Sequence, residues 1–416
     1  MAREKTTEHY DVVIIGGGAA GLTAGIYAGR ARLKTLLIEK ALVGGLATYT
    51  NEVENYPGFP DSPKGEEITN QMKDQAKKMG VKFKLTDVKS VDLIGEEKIV
   101  ETFRNKYIAK TVVITSGGRP RITKAENEEK FLFDKGISFC ATCDAAANTD
   151  KTVVVIGSGD AAIEEGMFLT KFAKKVIVSV IHHEGKMDCN EIAKEAALKN
   201  PKMEFIWNST VARFEGDEHL ETVVLKNHKT EEEIPVKCDS CFEFIGYIPN
   251  TEIFKDQIRL TGHGYIITNE KMETNIEGVF AAGDVRDKWL KQIATAVGDG
   301  AIAGYASEKY IAESEAFHEV ILQKEKPGLT FIYNAVETDS REFLLEIERI
   351  ENHFEDRVIV NRVDIYKSSG IADRLNVSEF PAVVLTRQGT VQERIIGHLD
   401  SNRIIEKLES ICAECH

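Results

Sequence analysis

The chain has 416 residues, 42% hydrophobic and 29% charged, which at ~150 residues per domain is enough for about three packed cores and is a globular composition, not a disordered one. The net charge of −14, with acidic residues dispersed, argues against a nucleic-acid backbone as partner, and no run approaches the ~18 to 20 consecutive apolar residues of a membrane span. The opening stretch MAREKTTEHYD is polar and holds no apolar signal core, so the expectation is a cytoplasmic protein that engages neither nucleic acid nor membrane.

Taken in chain order, Tyr10 to Lys40 reads strand, glycine turn, helix, strand. In Gly16-Gly17-Gly18-Ala19-Ala20-Gly21 the first Gly permits the tight turn, Gly18 lets the backbone approach a pyrophosphate, and Gly21 lets the helix pack on the strand. Glu39 closes the next strand about 20 residues on, where a carboxylate can accept ribose hydroxyls. A glycine turn that merely packs is the alternative. Strand before, helix after and acid at the right distance favour a dinucleotide site instead.

Thr152 to Ile181 repeats the pattern around Gly157-Ser158-Gly159-Asp160-Ala161-Ala162, with Ala162 replacing the third Gly as the fingerprint allows. Between the two units lie YIAKTVVITSGGRP and CATCD. Six of the 7 cysteines form three C-x-x-C pairs: Cys140 with Cys143, Cys238 with Cys241, and Cys412 with Cys415. In a reducing compartment such pairs read as redox-active or metal-binding. Cys140 and Cys143 have no His or Cys nearby at zinc spacing, so no metal site is expected. A C-x-x-C that opens a helix or turn can lower one thiol's pKa and keep a disulfide reversible. Taken alone, the residues leave redox and structural readings of this pair both open.

Further on, GVFAAGDVRD ends a strand in a small-residue turn at Gly283 and Asp284, which places a carboxylate over the ribityl and pyrophosphate region of such a ligand. A helical KQIATAVGDGAIAGYASEKYI follows, and the polar residues 316–327 read as a linker. The pattern then restarts: LTFIYNAV as a strand, a helix from about residue 340, VIVNRVDIY as a strand, a hairpin from AVVLTRQG and VQERIIG, and a last helix from Ser401. The expected fold class is α/β, with two Rossmann-like dinucleotide-binding domains and a C-terminal α/β domain.

GGLATYTNEVENYPGF from Gly44, TSGGRP at 115–120, CATCD, FIGYIPNT at 244–251 and AAGDVRDKWLKQIATAVGDG at 281–300 occur in this order. With them, the segment from about Asp11 to Ile311 resembles the low-molecular-weight thioredoxin reductases. From about Pro327 the chain resembles thioredoxin, with Pro381 in SEFPAVVLTRQG at that family's cis-proline position. The resemblance implies a discontinuous FAD-binding domain, 1–118 and 246–315, an NAD(P)-binding domain, 119–245, that carries the C-x-x-C, and a thioredoxin-like domain, 328–416, with a C-x-x-C tail. It implies FAD at Gly16, Gly17, Gly18, Ala19, Gly21, Glu39, Lys40, Gly45, Leu46, Asn55, Thr115, Gly117, Gly283, Asp284, Lys291, Gln292 and Ile293, and the nicotinamide dinucleotide at Gly157, Gly159, Asp160 and Ala161. Cys143 would face the flavin and form the charge-transfer thiolate, Cys140 would attack the partner's disulfide, and Asp144 would act as acid or base. It also implies a homodimer, and rotation of the two domains about crossover strands near Gly118 to Pro120 and Gly246 to Pro249.

The chain departs from that family in several places. Where NADPH-dependent members carry an arginine pair with another arginine shortly beyond, this chain reads Ile181-His182-His183-Glu184-Gly185-Lys186-Met187. Histidines replace a bidentate guanidinium poorly and Glu184 repels a phosphate dianion, so NADH is favoured over NADPH. The same gap leaves ferredoxin or another reduced carrier as an alternative donor. A disulfide oxidase on this scaffold, or a flavin redox sensor, is the rival function.

Ala145-Ala146-Ala147-Asn148 replaces the usual Gly and aromatics after CATCD, which alters the surface beside the dithiol, so the family's usual thioredoxin partner does not carry over directly and the expected partner is a thioredoxin-like or other disulfide-containing protein. Lys291-Gln292-Ile293 stands conservatively for Arg-Gln-Ala. In the last domain Val336-Glu337-Thr338-Asp339 occupies the place of thioredoxin's own C-x-x-C, which suggests a degenerate docking or dimer-supporting domain. Cys412 and Cys415 extend an apolar helical stripe, and are read either as buried filler or as a tail dithiol relaying electrons outward. Cys189, Cys238 and Cys241 are expected to be structural.

Overall fold

In the computed structural model, which describes residues 5–50, 53–132, 135–323, 325–366 and 369–413, the first sheet is set by two long strands. These are β1 (Thr6–Ile15) and β6 (Asn105–Ile114), paired in parallel from Thr6 opposite Asn105 to Ile15 opposite Ile114. Their ends, VVII in β1 and TVVI in β6, are buried, as central parallel strands covered on both faces require. Beside β1 lie β2 (Thr35–Glu39) and then β3 (Lys82–Leu85); beside β6 lie β5 (Lys98–Thr102) and β4 (Val88–Asp92), and β17 (Val279–Ala281) also pairs with β6. Helices α1 (Ala19–Arg30), α2 (Gly65–Lys78) and the part of α7 (Ile293–Ala316) up to Ser307 belong to this layer. The crossing of α7 over α1 depends on glycine: a Cβ on Gly300 would overlap the Ala20 carbonyl.

The chain leaves this layer through β7 (Gly118–Pro120) and returns through β16 (Tyr247–Pro249), and the two strands pair antiparallel, with Pro120 opposite Tyr247. Between them a five-stranded parallel sheet runs β11 (Met203–Trp207), β10 (Lys175–Val180), β9 (Thr152–Ile156), β15 (Ser240–Glu243), β8 (Ile137–Ser138). On one side Val153, Val155, Val176 and Val178 share a core with Ile163 and Leu169 of α5 (Asp160–Leu169) and Ala197 of α6 (Glu191–Lys199). On the other, Val154, Ile156 and Ile177 meet Phe214, Val223 and Leu225 from an antiparallel sheet of β12 (Ser209–Glu215), β13 (Thr222–Asn227) and β14 (Glu233–Lys237). Each fully buried Val or Leu contributes about 1.5–3 kcal/mol relative to an exposed one. Two short helices, α3 (Glu128–Phe131) and α4 (Ala141–Asp144), complete this region.

The chain divides into compact units at Ser307 and Glu308. The second unit has β18 (Gly328–Tyr333) parallel to β19 (Ile359–Asp364) and antiparallel to β20 (Ala382–Arg387), which forms a hairpin with β21 (Thr390–Ile396). Its helices are α8 (Thr338–Phe354), α9 (Ser369–Arg374) and α10 (Ser401–Ala413). Ile347, Ile350 and Phe354 of α8 and Ile404 and Leu408 of α10 close its core over Leu329, Phe331, Val383 and Leu385. The Phe380–Pro381 bond is cis. Within the stretch read as a linker, Phe317–Ile321 forms a wide helical turn. Phe317 and Ile321, four apart and so on one helical face, are buried with Ile332 and Leu375. Among the described residues no helix is long and apolar enough to cross a membrane.

Candidate functional site: two glycine turns and a disulfide

At the end of β1 the chain turns with Gly16 at φ +112°, and a Cβ there would overlap the Thr115 carbonyl. A Cβ on Gly21 would overlap the Gly16 carbonyl. The turn is therefore glycine by necessity at both places. Gly18 caps α1 without a side-chain hydrogen bond, and the space beside it is open. No acidic residue occupies the first turn of α1, so its N–H groups and positive dipole end are available to an anion. Glu39 is fixed at the mouth: its Oε2 accepts the Gly17 N–H at 2.7 Å and its Oε1 the Ala41 N–H at 2.9 Å. Ala19 begins α1, and the Thr115 hydroxyl donates to the Gly16 carbonyl at 2.8 Å.

Other segments close on this turn. Gly44 donates to the Gly17 carbonyl at 2.8 Å, and Gly45, at φ +62°, lies against Gly18. Gly117, at φ +61°, accepts from the Asn250 N–H. After β17, the Gly283 N–H donates to Asp299 at 3.0 Å, and Asp299 also binds Arg286 and Lys288. Asp284 follows, and its Oδ1 is buried with no hydrogen-bond partner among the described residues. Burial pushes its carboxyl up. An orphaned acceptor beside an open helix N-terminus fits a ligand that brings hydroxyl groups and a pyrophosphate, which is the donor and acceptor set of FAD. Lys291 stacks on the Tyr265 ring at 4.4 Å and Ile293 starts α7, while Lys40 and Leu46 are exposed.

The CATCD segment forms α4 with Cys140 as its N-cap, and Cys140 and Cys143 are joined as a disulfide, Cα atoms 5.3 Å apart. Ser138 ties the acid to this helix: its hydroxyl accepts the Cys140 N–H at 3.1 Å and donates to Asp144 Oδ2 at 2.5 Å. Gln292 joins the disulfide to the first glycine region. Its Oε1 accepts from Asn55 at 3.2 Å, its Nε2 donates to the Thr142 hydroxyl at 3.2 Å, and Nε2 lies 4.0 Å from Cys140 Sγ. Residues read separately in the sequence, Asn55, Gln292 and Cys140, thus meet at one place. Asn148, from the stretch that departs from the family, accepts the Ser240 hydroxyl and donates to the Asp144 carbonyl, so it braces α4 against β15.

Sequence reasoning missed two groups here. Glu165 of α5 accepts the Thr142 N–H, while its Oε2 is buried with no hydrogen-bond partner among the described residues; burial, then the neighbouring Glu164, push this carboxyl up. Glu243 at the end of β15 is 2% exposed and is pushed up to about 9 by burial and by Glu128. The apolar run CFEFIG gave a signal for the latter, since it places one acid inside a buried strand.

The second turn lines a cavity of 580 Å³. Gly157 sits at φ +129°, and Gly159 caps α5 with open space beside it. Ala161 is exposed on the cavity wall, while Asp160 Oδ1 is held by the backbone and side-chain N–H groups of Asn190 at 2.7 and 2.8 Å. Among the described residues the lining carries two carboxylates, Asp160 and Asp188, and no Arg or Lys.

Of the remaining cysteines, the four that are described are buried or half-buried. Cys238 is pushed up to about 12 by burial, and Cys241 well above the usual thiol range for the same reason, so both remain neutral thiols in the core. Cys189 is buried beside Met187. Cys412 packs on the second unit's core, and Cys415 lies outside the described residues. No group of His, Cys, Asp and Glu among the described residues could hold a metal ion.

Two glycine turns flanking a C-x-x-C disulfide define a flavoprotein disulfide reductase, and comparison with known proteins agrees. The family model for pyridine nucleotide-disulphide oxidoreductases matches residues 10–300, and the thioredoxin model matches 308–410. The chain belongs to the first of these families and is an FAD-dependent disulfide oxidoreductase with a C-terminal thioredoxin domain. Within that class it is a homologue of thioredoxin reductase. The thioredoxin reductase of Peptoclostridium acidaminophilum is 42% identical over 308 residues, which span 73% of this chain and 97% of that protein. That of Bacillus subtilis (strain 168) is 41% identical over 314 residues, 75% and 97% of the two chains. The crystal structure of thioredoxin reductase from Streptococcus pyogenes MGAS5005 matches with a TM-score of 0.69 at 38% identity, covering 73% of this chain and 98% of that one.

Proposed function

We propose that this protein takes electrons from NADH and delivers them through FAD and the Cys140–Cys143 pair to the disulfide of a thioredoxin-like protein. The observation that carries this is the Gln292 bridge, which holds the disulfide helix against Asn55 of the first glycine region. FAD, when bound, would relay two electrons from the nicotinamide to the disulfide. The residues that would hold it are the first glycine turn with Glu39, the Gly45 and Asn55 segment, Thr115, Gly117, Gly283, Asp284 and the Lys291-Gln292-Ile293 lead into α7. In the FAD domain we include 1–118 and 246–315, and in the pyridine-nucleotide domain 119–245.

In the reaction, Cys140 attacks the partner's disulfide as a thiolate and forms the mixed disulfide. Cys143 then displaces the partner's thiolate and restores the Cys140–Cys143 bond. Asp144, held by Ser138, receives the proton as a thiol becomes nucleophile and returns it to the leaving sulfur. NADH is the favoured donor because the second cavity is lined by carboxylates and, among the described residues, carries no Lys or Arg for a 2′-phosphate. The same lining gives a second reading, in which ferredoxin or another reduced carrier feeds the flavin. We assign the protein to the cytoplasm and to a homodimer by its family.

The test is an anaerobic stopped-flow experiment on the flavin-loaded protein with NADH, NADPH and reduced ferredoxin in turn. Fast bleaching of the flavin band with NADH alone is the expected result. Equal rates with NADPH would refute the preference, and bleaching only by ferredoxin would establish the carrier.

A further inference from the structure

The two glycine turns can be compared residue by residue through the strand register. Ile15 is opposite Ile38 in the first, so the next residue of that strand is Glu39. Ile156 is opposite Ser179 in the second, so the corresponding residue is Val180, which is fully buried. The second strand therefore lacks the carboxylate that closes the first site. A carboxylate is nevertheless present at the corresponding place.

At Gly17 a built Cβ would point at Glu39, 3.3 Å from Oε2. Ser158 is the matching residue of the second turn, and its hydroxyl donates to Asp188 Oδ2 at 3.2 Å. Asp188 comes from the loop after β10, eight residues past Val180 in the sequence. The loop is fixed to the turn by the Asp188 N–H, which donates to the Ser158 carbonyl at 2.9 Å, and by a bridge to Gly159. His182 Nε2 meets the same Oδ2 at 2.7 Å. Oδ1 accepts no hydrogen bond among the described residues. Asp188 also lines the cavity.

We infer that Asp188 is the specificity-determining residue of the second site: it takes the role of Glu39 from a different element, accepts ribose hydroxyls of NADH and rejects a 2′-phosphate. This rests on the reading of the second turn as a pyridine-nucleotide site. A carboxylate gains a charge-assisted hydrogen bond from a ribose diol and repels a phosphate dianion in the same place, so one residue both selects and excludes.

The experiment is equilibrium binding of NAD⁺ and NADP⁺ to the oxidised, flavin-loaded full-length protein, followed by fluorescence quenching. The wild type is expected to bind NAD⁺ at least about tenfold more tightly than NADP⁺. In Asp188→Asn, NAD⁺ binding should weaken about tenfold with NADP⁺ binding unchanged or tighter, while flavin absorbance and the Cys140–Cys143 thiol titre stay as in wild type. Should that variant lose its flavin, Ser158→Ala, which removes the hydroxyl holding the carboxylate, is expected to weaken NAD⁺ selectively. An NAD⁺ preference that survives both substitutions overturns the role of Asp188 but leaves the NADH donor standing. A wild type that binds neither dinucleotide, or prefers NADP⁺, overturns both.

Discussion

The two glycine turns occupy equivalent places in two sheets built alike, yet they are finished differently. In the first, the acid stands at the end of the neighbouring strand, and its two oxygens are fixed by the Gly17 and Ala41 N–H groups. In the second, the strand ends in buried Val180, and the carboxylate beside the turn comes from a loop held to Ser158. A carboxylate thus stands at the same place relative to each turn although it comes from a different position in the sequence. The backbone turn is the fixed part, because Gly16, Gly21 and Gly157 have no room for a Cβ. The acceptor is the movable part.

The comparison can be sharpened by substitution. The largest effect is expected at the Cys140–Cys143 disulfide. Cys143→Ser should lower disulfide reduction at least about a thousandfold while leaving flavin bound, as measured by turnover and absorbance. Retained turnover would mean that the two turns serve another acceptor.

Next come the turns themselves. Gly21→Val drives a side chain into the Gly16 carbonyl and the Thr115 hydroxyl, and is expected to give colourless or insoluble protein. Gly159→Ala meets nothing within 4 Å, so stability should stay within about 0.5 kcal/mol and flavin should be retained, while NAD⁺ binding weakens. Equal damage from the two would break the distinction between a turn packed by glycine and one opened by it.

A smaller effect is expected at Asp284. Asp284→Asn keeps the shape but removes the charge that would strengthen a hydrogen bond from a ligand hydroxyl, so FAD affinity should fall about tenfold in a dialysis assay. Nucleotide binding at the second turn should not change.

The smallest effect is one of stability. Glu243 holds its proton in the fold up to about pH 9, whereas the unfolded chain releases it in the ordinary carboxylate range. Between these values the folded state binds more protons, so stability falls as pH rises. Glu243→Gln stays neutral, and its melting temperature should fall less than that of the wild type between pH 6 and 9. A parallel fall in both proteins would show that Glu243 is ionised throughout.

What the sequence revealed follows chain proximity. Gly16, Gly21 and Glu39 lie in one strand, turn, helix and strand, so spacing alone places them. CATCD was found as a pair of thiols, but residues alone left its role open, and only the resemblance chose between them. Asp188 lies outside the spacing rule and was passed over. Gln292 beside Cys140, Glu165 beneath Thr142 and Glu128 beside Glu243 arise from segments far apart in the chain, and no local period marks such meetings. The second unit was legible because its strands and helices alternate cleanly, whereas Phe317 and Ile321 were hidden in a polar stretch that otherwise has the composition of a connector.

The antiparallel pairing of β7 with β16 has a consequence for how this protein can be dissected. Pro120 and Tyr247 are direct neighbours across that ribbon, so everything from Arg121 to Gly246 is an insertion whose two ends coincide in space. A two-residue Asn-Gly turn joining Pro120 to Tyr247 would convert the ribbon into a hairpin and leave the surrounding sheet with no strand removed. The inserted segment, in turn, could be exchanged between relatives as a single cassette, provided that the ribbon seam and the Gln292 contacts to Thr142 and Cys140 both match.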